Sequence, residues 1–278
     1  MNSRKHRHRP RKSLGQFYLR DRQTGIRIAA ETPVDIPLVE IGCGDGALTE
    51  ALLAQGRTVV GVEIDPGLVS RLHHRFGANP HFRLVKGSIL KLDWHNLLPE
   101  TAETAVVGNL PYHLATRIVF DVFHWVRSAG TPRIRELVVM MQREVAERIC
   151  ASEGGRDYGS LTLLTKYHSE PEYLFTVPAL SFYPQPQVDG GVIRLTLHRL
   201  DQLPGVDYDS FRRVVRGCFT QRRKVLRNAL RVVNGLPLGW ESLKWDYNRR
   251  PEQFDFEEYI SLTNQLIELN SGMVLTGI

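Results

Sequence analysis

From residue 38 to residue 151 the sequence alternates short β-branched runs with amphipathic segments. The runs are Leu38–Ile41, Thr58–Glu63, Phe82–Val85, Thr104–Gly108 and Glu136–Met141. Between them the spacing predicts helices at Ala47–Gln55, Gly67–Phe76, Ala115–Val126 and Glu144–Ala151. A chain patterned this way folds as βαβ units around a parallel sheet, because each crossover helix must cover one face of it. Two later runs, Leu161–Tyr167 and Gly191–Leu197, read as a hairpin-like addition, which brings the expected count to about seven strands. After His198 the pattern changes. Asp201–Asp209 contains Pro204-Gly205 and reads as a linker, and the residues beyond it read as helical. The expected layout is a basic tail at 1–12, an α/β domain at 13–199 and a small all-α domain at 200–278.

The first strand runs into Gly42-Cys43-Gly44-Asp45-Gly46. Glycine lets the backbone turn sharply and approach a ligand without a Cβ in the way. Glu63 ends the next strand, about twenty residues on, where a carboxylate accepts from ribose hydroxyls. Loop and acid define a nucleoside crevice at the carboxyl ends of a Rossmann-like sheet. A dinucleotide fingerprint has the spacing G-x-G-x-x-G. Here it is G-x-G-x-G, and Asp45 at the helix start repels a diphosphate. S-adenosylmethionine fits better, its sulfonium suiting the acidic surroundings of Glu40 and Asp45. A nicotinamide cofactor, or a tight turn with no ligand, are the other readings of the loop alone.

Gly108-Asn109-Leu110-Pro111-Tyr112 comes after the fourth strand, at the same end of the sheet. Asn109 supplies a carbonyl acceptor and an amide donor. Pro111 fixes its own φ and restricts Leu110, so the Leu110 carbonyl is rigidly aimed. Tyr112 offers a flat face to a base. Two acceptors, the Asn109 side-chain oxygen and the Leu110 carbonyl, suit methylation of an exocyclic amine. They hold its hydrogens and favour the pyramidal form whose lone pair faces a sulfonium methyl. A second aromatic turn, Phe182-Tyr183-Pro184, is expected to let Phe182 cover the other face of an extruded base.

Charge says what surrounds this chemistry. The chain carries 36 Lys and Arg against 30 Asp and Glu. Six of the bases lie in residues 1–12 and eight in residues 210–240, with no acid in either stretch. The remainder is mildly acidic, so two basic patches flank an acidic body, which points to a polyanion partner. Phe211, Val214, Val215, Cys218 and Phe219 recur at helical spacing. On one continuous helix Arg222 would fall on that apolar side, so a break is expected near Thr220–Gln221 with the basic cluster at the joint. Three cysteines (Cys43, Cys150, Cys218) without paired spacing argue against a zinc cluster or disulfide framework and for a reducing, cytoplasmic setting. No run is long and apolar enough for a membrane span, and the first dozen residues are too polar for a secretory signal.

Taken in order, these segments resemble the small-subunit ribosomal RNA adenine dimethyltransferases, the kasugamycin-sensitivity methyltransferase family. Lys12-Ser13-Leu14-Gly15-Gln16-Phe17-Tyr18-Leu19 is similar to its K-x-x-G-Q-x-x-L motif, Glu40–Thr49 to its glycine loop and Asn109–Tyr112 to its catalytic turn. Met141–Arg148, Phe182–Asp189, Phe219-Thr220-Gln221-Arg222-Arg223-Lys224 and Arg250-Pro251-Glu252 are similar to later motifs. The resemblance implies a methyltransferase sheet carrying a helical RNA-binding domain. It implies S-adenosylmethionine held by Gln16, Phe17, Leu19, Gly42, Gly44, Glu63, Ser88 and Asn109. Catalysis falls to Asn109, Leu110, Pro111, Tyr112 and Phe182, and RNA contact to Arg222, Arg223, Lys224 and Arg227. The implied reaction dimethylates N6 of two adjacent adenosines in the 3′-terminal hairpin of small-subunit rRNA within a pre-30S particle. A monomer without metal is expected. The chain departs from the family pattern at Phe17 (usually Asn), Cys43 (usually Pro) and Ser88 (usually Asp). Two rival readings share the scaffold: a large-subunit rRNA methyltransferase of the macrolide-resistance type, and a non-catalytic assembly or transcription factor.

Overall fold

The computed structural model describes residues 16–98, 103–129 and 133–276, with side chains as far as Ser271. The expected tail at 1–12 and the Lys12–Gly15 part of the N-terminal motif lie outside the described residues.

The strands β1 (Tyr18–Leu19), β2 (Leu38–Ile41), β3 (Val59–Glu63), β4 (Phe82–Lys86), β5 (Thr104–Asn109) and β6 (Ile134–Gln142) are succeeded by β7 (Ser169–Val177), β8 (Phe182–Tyr183) and β9 (Gly190–Leu197). The helices of this part are α1 (Arg22–Ala30), α2 (Ala47–Ala54), α3 (Pro66–Phe76), α4 (Ala115–Ser128), α5 (Arg143–Ile149) and α6 (Ser160–Lys166). Every residue of β2 and β3 is buried, the signature of strands covered on both faces. The seven-stranded sheet has the order β4-β3-β2-β5-β6-β9-β7. Strands β4 through β6 run parallel, and β9 runs antiparallel to β6. The order therefore reverses between β2 and β5, and the crevice at their carboxyl ends is where an open α/β sheet binds its ligand. A separate ribbon pairs β1 with β8, Tyr18 opposite Tyr183 and Leu19 opposite Phe182.

Local chemistry sets the helix starts. Asp65 is wholly buried and its Oδ1 accepts from the Gly67 N–H at 2.8 Å, with Pro66 in the first turn of α3. One face of the sheet packs Ile28, Leu48 and Leu52 over Leu38, Val107 and Met140, all buried. Each such side chain removed from water contributes about 1.5–3 kcal/mol.

The chain divides into two compact units. The first comprises residues up to Ala146 together with Glu170–Leu200, and the second comprises Glu147–Ser169 together with Asp201–Ile278. A single α/β domain over 13–199 thus differs from the observed grouping in residues 147–169. Their partners explain why. Tyr158 Oη donates to the Phe254 carbonyl at 3.0 Å, the Gly154 N–H to the Glu252 carbonyl at 2.9 Å, and Tyr167 packs on Phe211 at 5.4 Å between centroids.

Leu161–Tyr167, expected as a strand, is helix α6, and the seventh strand is β7. Leu163, Leu164, Thr162 and Thr165 are all buried, and a short apolar run buried all round has no periodicity to separate helix from strand. In the second unit α7 (Tyr208–Thr220) is capped by Asp207 and buries Phe211, Val214, Val215 and Cys218. It ends at Thr220, where the break was expected, and α8 (Leu226–Leu230) and α9 (Phe256–Thr276) come after it.

Candidate active site

The carboxyl ends of β2, β3 and β5, together with β1, enclose a cleft. Gly42, Gly44 and Gly46 all adopt left-handed backbone, at φ of 75°, 58° and 86°. Only glycine holds three such turns in five residues cheaply. A Cβ on Gly46 would also lie 2.7 Å from the Phe76 ring.

Glu63 lines the cleft. Its Oε2 accepts from the Gly44 N–H at 2.9 Å and its Oε1 from the Ile64 and Asp65 N–H groups at 2.8 Å each. It is 4% exposed. Burial raises its pKa, opposed by those three N–H groups. Its position, the last residue of β3, therefore fixes both the carboxylate and the glycine loop. Glu40, in the middle of β2, lies deeper; its Oε2 accepts from Thr49 Oγ1 at 2.6 Å, and burial pushes the carboxyl up to about 7. Burial raises Asp45 as well. Three acids and no Lys, Arg or His line the cleft. That lining suits a cationic or neutral nucleoside and repels a diphosphate, which disfavours the nicotinamide reading.

The Asn109–Tyr112 turn also lines the cleft. Asn109 ends β5, and its Nδ2 donates to the Phe17 carbonyl at 2.8 Å, which leaves Oδ1 as an acceptor. The Leu110 N–H donates to the Met140 carbonyl of β6 at 2.9 Å, pinning the backbone before Pro111. The Phe17 and Tyr112 rings meet at 5.2 Å between centroids, inclined by 31°. The Tyr112 hydroxyl is buried without a hydrogen-bond partner among the described residues, and burial with the negative charge of Asp189 pushes it up to about 12.

Of the residues expected at the site, Gln16, Phe17, Leu19, Gly42, Gly44, Glu63, Asn109, Leu110, Pro111 and Tyr112 meet in this cleft. Two do not. Ser88 lies beyond the end of β4 and is not part of the lining; its carbonyl accepts from the Lys91 and Leu92 N–H groups. Phe182 is 3% exposed and belongs to the apolar core, so it offers no free face to a base. Its alternation with Tyr183 on the β1–β8 ribbon turns it inward, away from the role expected of it. Tyr18, Ile28 and Ile64 line the cleft without having been expected there. Tyr18 was foreseeable, since its hydroxyl donates to Gln16 Oε1 at 2.6 Å within the same motif.

In the second unit Arg223, Lys224 and Arg227 are exposed around the turn between α7 and α8. Arg222 differs: its guanidinium donates to the Arg156 and Gly155 carbonyls at 2.5 and 2.9 Å and lies 3.8 Å from Glu252. Among the described residues no group of His, Cys, Asp and Glu is placed to hold a metal, and no helix is long and apolar enough to cross a membrane.

A mixed seven-stranded sheet with an acidic cleft and an Asn-Leu-Pro-Tyr turn at its switch point defines a Rossmann-like methyltransferase. Residues 7–237 match the family model described as ribosomal RNA adenine dimethylase, and the chain belongs to that family. It is 39% identical to the ribosomal RNA small subunit methyltransferase A of Pseudomonas putida over 264 residues, 94% of this chain and 96% of the relative. It is 40% identical to the protein of the same name from Geobacillus thermodenitrificans, over 93% of this chain and 92% of the relative. Among solved structures, the 23S rRNA methyltransferase ErmE is similar at 27% identity and a TM-score of 0.66, covering 90% of this chain and 99% of that one. A dimethyladenosine transferase from Plasmodium falciparum shares the fold at 23% identity and a TM-score of 0.71, covering 91% and 97%.

Proposed function

We propose that this chain dimethylates N6 of two adjacent adenosines in the 3′-terminal hairpin of small-subunit rRNA, acting on a pre-30S particle in the cytoplasm as a metal-free monomer. S-adenosylmethionine, when bound, supplies an electrophilic methyl group on its sulfonium. Glu63 would hold its ribose hydroxyls, and the acids of the cleft favour its positive charge. The hold on Asn109 carries the reading. With Nδ2 engaged by the Phe17 carbonyl, Oδ1 is the atom offered to an amine. Asn109 Oδ1 and the Leu110 carbonyl accept the two N6 hydrogens, so the nitrogen lone pair turns out of the ring plane toward the cleft. Tyr112, braced by Phe17, stacks on the adenine. Positioning and fixed dipoles then supply the rate. No strong base is needed: as the C–N bond forms, the methyl–sulfur bond breaks with its electron pair left on a neutral thioether, and the nitrogen proton becomes acidic and leaves to solvent. The monomethylated amine is re-presented for the second transfer.

Arg223, Lys224 and Arg227 would hold rRNA phosphates, contacts that position the substrate without reading sequence. The small-subunit reading is favoured over the large-subunit one by identity, 39–40% to proteins named for the small subunit against 27% to ErmE. The intact Asn109 turn speaks against a non-catalytic factor. The test is transfer of labelled methyl from S-adenosylmethionine to undermethylated small subunits, with Asn109→Ala as control. Label is expected in the adenosines of the 3′ hairpin. Its absence there sinks the enzyme reading, and label confined to large-subunit rRNA selects the rival enzyme.

A further inference from the structure

The turn that starts at β8 holds two neighbouring aromatics, and the structure divides them. Phe182 and its cross-strand partner Leu19 are 3% and 5% exposed and turn into the core. Direct partners on an antiparallel ribbon share a face and successive residues alternate. Tyr183 therefore shares the other face with Tyr18, which lines the cleft. Tyr183 is 39% exposed, and the Arg20 guanidinium sits over its ring, 3.8 Å from the centroid. Arg20 is itself exposed and has no carboxylate partner among the described residues. The support is rigid. The Arg20 and Asp21 N–H groups both donate to the Ser181 carbonyl, at 2.8 and 3.4 Å. The acid of the turn, Asp189, accepts from the Ala179 N–H at 3.0 Å and pairs with Arg143 at 3.2 Å.

We infer that Tyr183 and Arg20 form a substrate-positioning platform beside the cleft, on which a base flanking the target adenosine stacks while the Arg20 charge meets its phosphate. The inference rests on the RNA-methylating reading above and adds the residues that hold the neighbouring nucleotide. The chemistry fits a nucleic acid strand. Every base presents a π-face, so stacking on tyrosine tolerates any sequence. A guanidinium lying on an aromatic ring stays charged and keeps its edge donors for a phosphate. Extruding one adenosine from a stack also leaves its neighbour without a stacking partner, and an exposed ring beside the cleft replaces that partner. The Arg143 pairing offsets the charge of Asp189, the one carboxylate of the turn that would repel the backbone.

Tyr183→Ala, Tyr183→Phe and Arg20→Ala in the full chain test this. Methyl transfer to undermethylated small subunits gives KM and kcat, calorimetry gives S-adenosylmethionine affinity, and melting gives Tm. Tyr183→Ala should raise KM for the subunit about tenfold, with kcat, cofactor affinity and Tm held at wild-type values. Tyr183→Phe should retain the wild-type KM. Arg20→Ala should weaken subunit binding and lower the slope of log affinity against log salt by about one. An unchanged KM for Tyr183→Ala, beside normal transfer by the wild type, overturns the platform and leaves the proposed function standing. Equal losses in the Ala and Phe variants assign the effect to the hydroxyl and overturn it too. Absence of transfer by the wild type brings down both readings together.

Discussion

Gly108 stands immediately before Asn109, on β5 beside β2, and its replacement by alanine tests how tightly the site is set by strand spacing. A Cβ built there lies 2.5 Å from the Ile41 carbonyl oxygen, where ordinary contact begins at 3.4 Å. The obstacle is backbone, so no side chain can swing aside. Either β5 shifts from β2 by roughly 0.9 Å or the pairing between them distorts. Overpacking of this kind costs about 1–3 kcal/mol. The usual effect of Gly→Ala at a permitted φ is opposite in sign, a gain of about 0.4–1 kcal/mol from the unfolded chain. Net destabilisation of about 1–2 kcal/mol is therefore expected for Gly108→Ala, read as a lower urea midpoint with unchanged slope. Because the shift moves Asn109 against the glycine loop, single-turnover methyl transfer should fall by about 100-fold. Gly205 is the control, since nothing lies within 4 Å of its Cβ position and its φ is not left-handed. Gly205→Ala should leave stability unchanged or slightly raised. A Gly108→Ala chain as stable as wild type, transferring methyl at the wild-type rate, would refute the reasoning.

Glu40 titrates near 7 against an ordinary carboxyl near 4.5, so its neutral form is the one the fold prefers. Its contribution is full at acid pH and is lost as pH rises through about 7. The stability of wild type relative to Glu40→Gln should therefore fall between about pH 5 and 8, by roughly 3 kcal/mol at most; urea unfolding across that range checks it, and a flat difference counts against a buried neutral carboxyl. Arg222→Ala should cost about 1–3 kcal/mol of stability by leaving the Gly155 and Arg156 carbonyls unmet. Arg223→Ala with Lys224→Ala should leave unfolding within about 0.5 kcal/mol while weakening subunit binding and flattening its salt dependence.

The central strands were legible because burial on both faces leaves little but β-branched residues, and β2 came out at Leu38–Ile41 as read. The glycine loop, Glu63 and Asn109 were legible because each chemistry admits few residue types. Other elements were not. Helix α1 carries Gln23, Thr24 and Gly25 in its first turns, a composition that reads as loop until Asp21 is seen to accept from Gln23 N–H and Thr24 Oγ1. Strand β7 begins Ser169-Glu170-Pro171-Glu172, polar because it lies at the sheet edge. The two-residue strands β1 and β8 are too short for any periodicity, and it is their register that decides between Phe182 and Tyr183. Arg222 looked like the other bases of its run. Only the carbonyls of Gly155 and Arg156, far off in sequence, distinguish it.

The second unit is not a suffix. Residues 147–169 belong to it and yet precede β7 and β9 of the sheet, so the chain passes from one unit to the other three times. A protein cut after Leu200 would keep Tyr158 and Tyr167 without Phe254 and Phe211, the partners they meet in the second unit. Grafting residues 201–278 onto another methyltransferase would move part of a core and abandon the rest. Any RNA contact made by these helices is thus tied to one catalytic sheet by interleaving of the chain. During synthesis the first unit is complete at Leu200, while residues 147–169 still wait for the rest of their own.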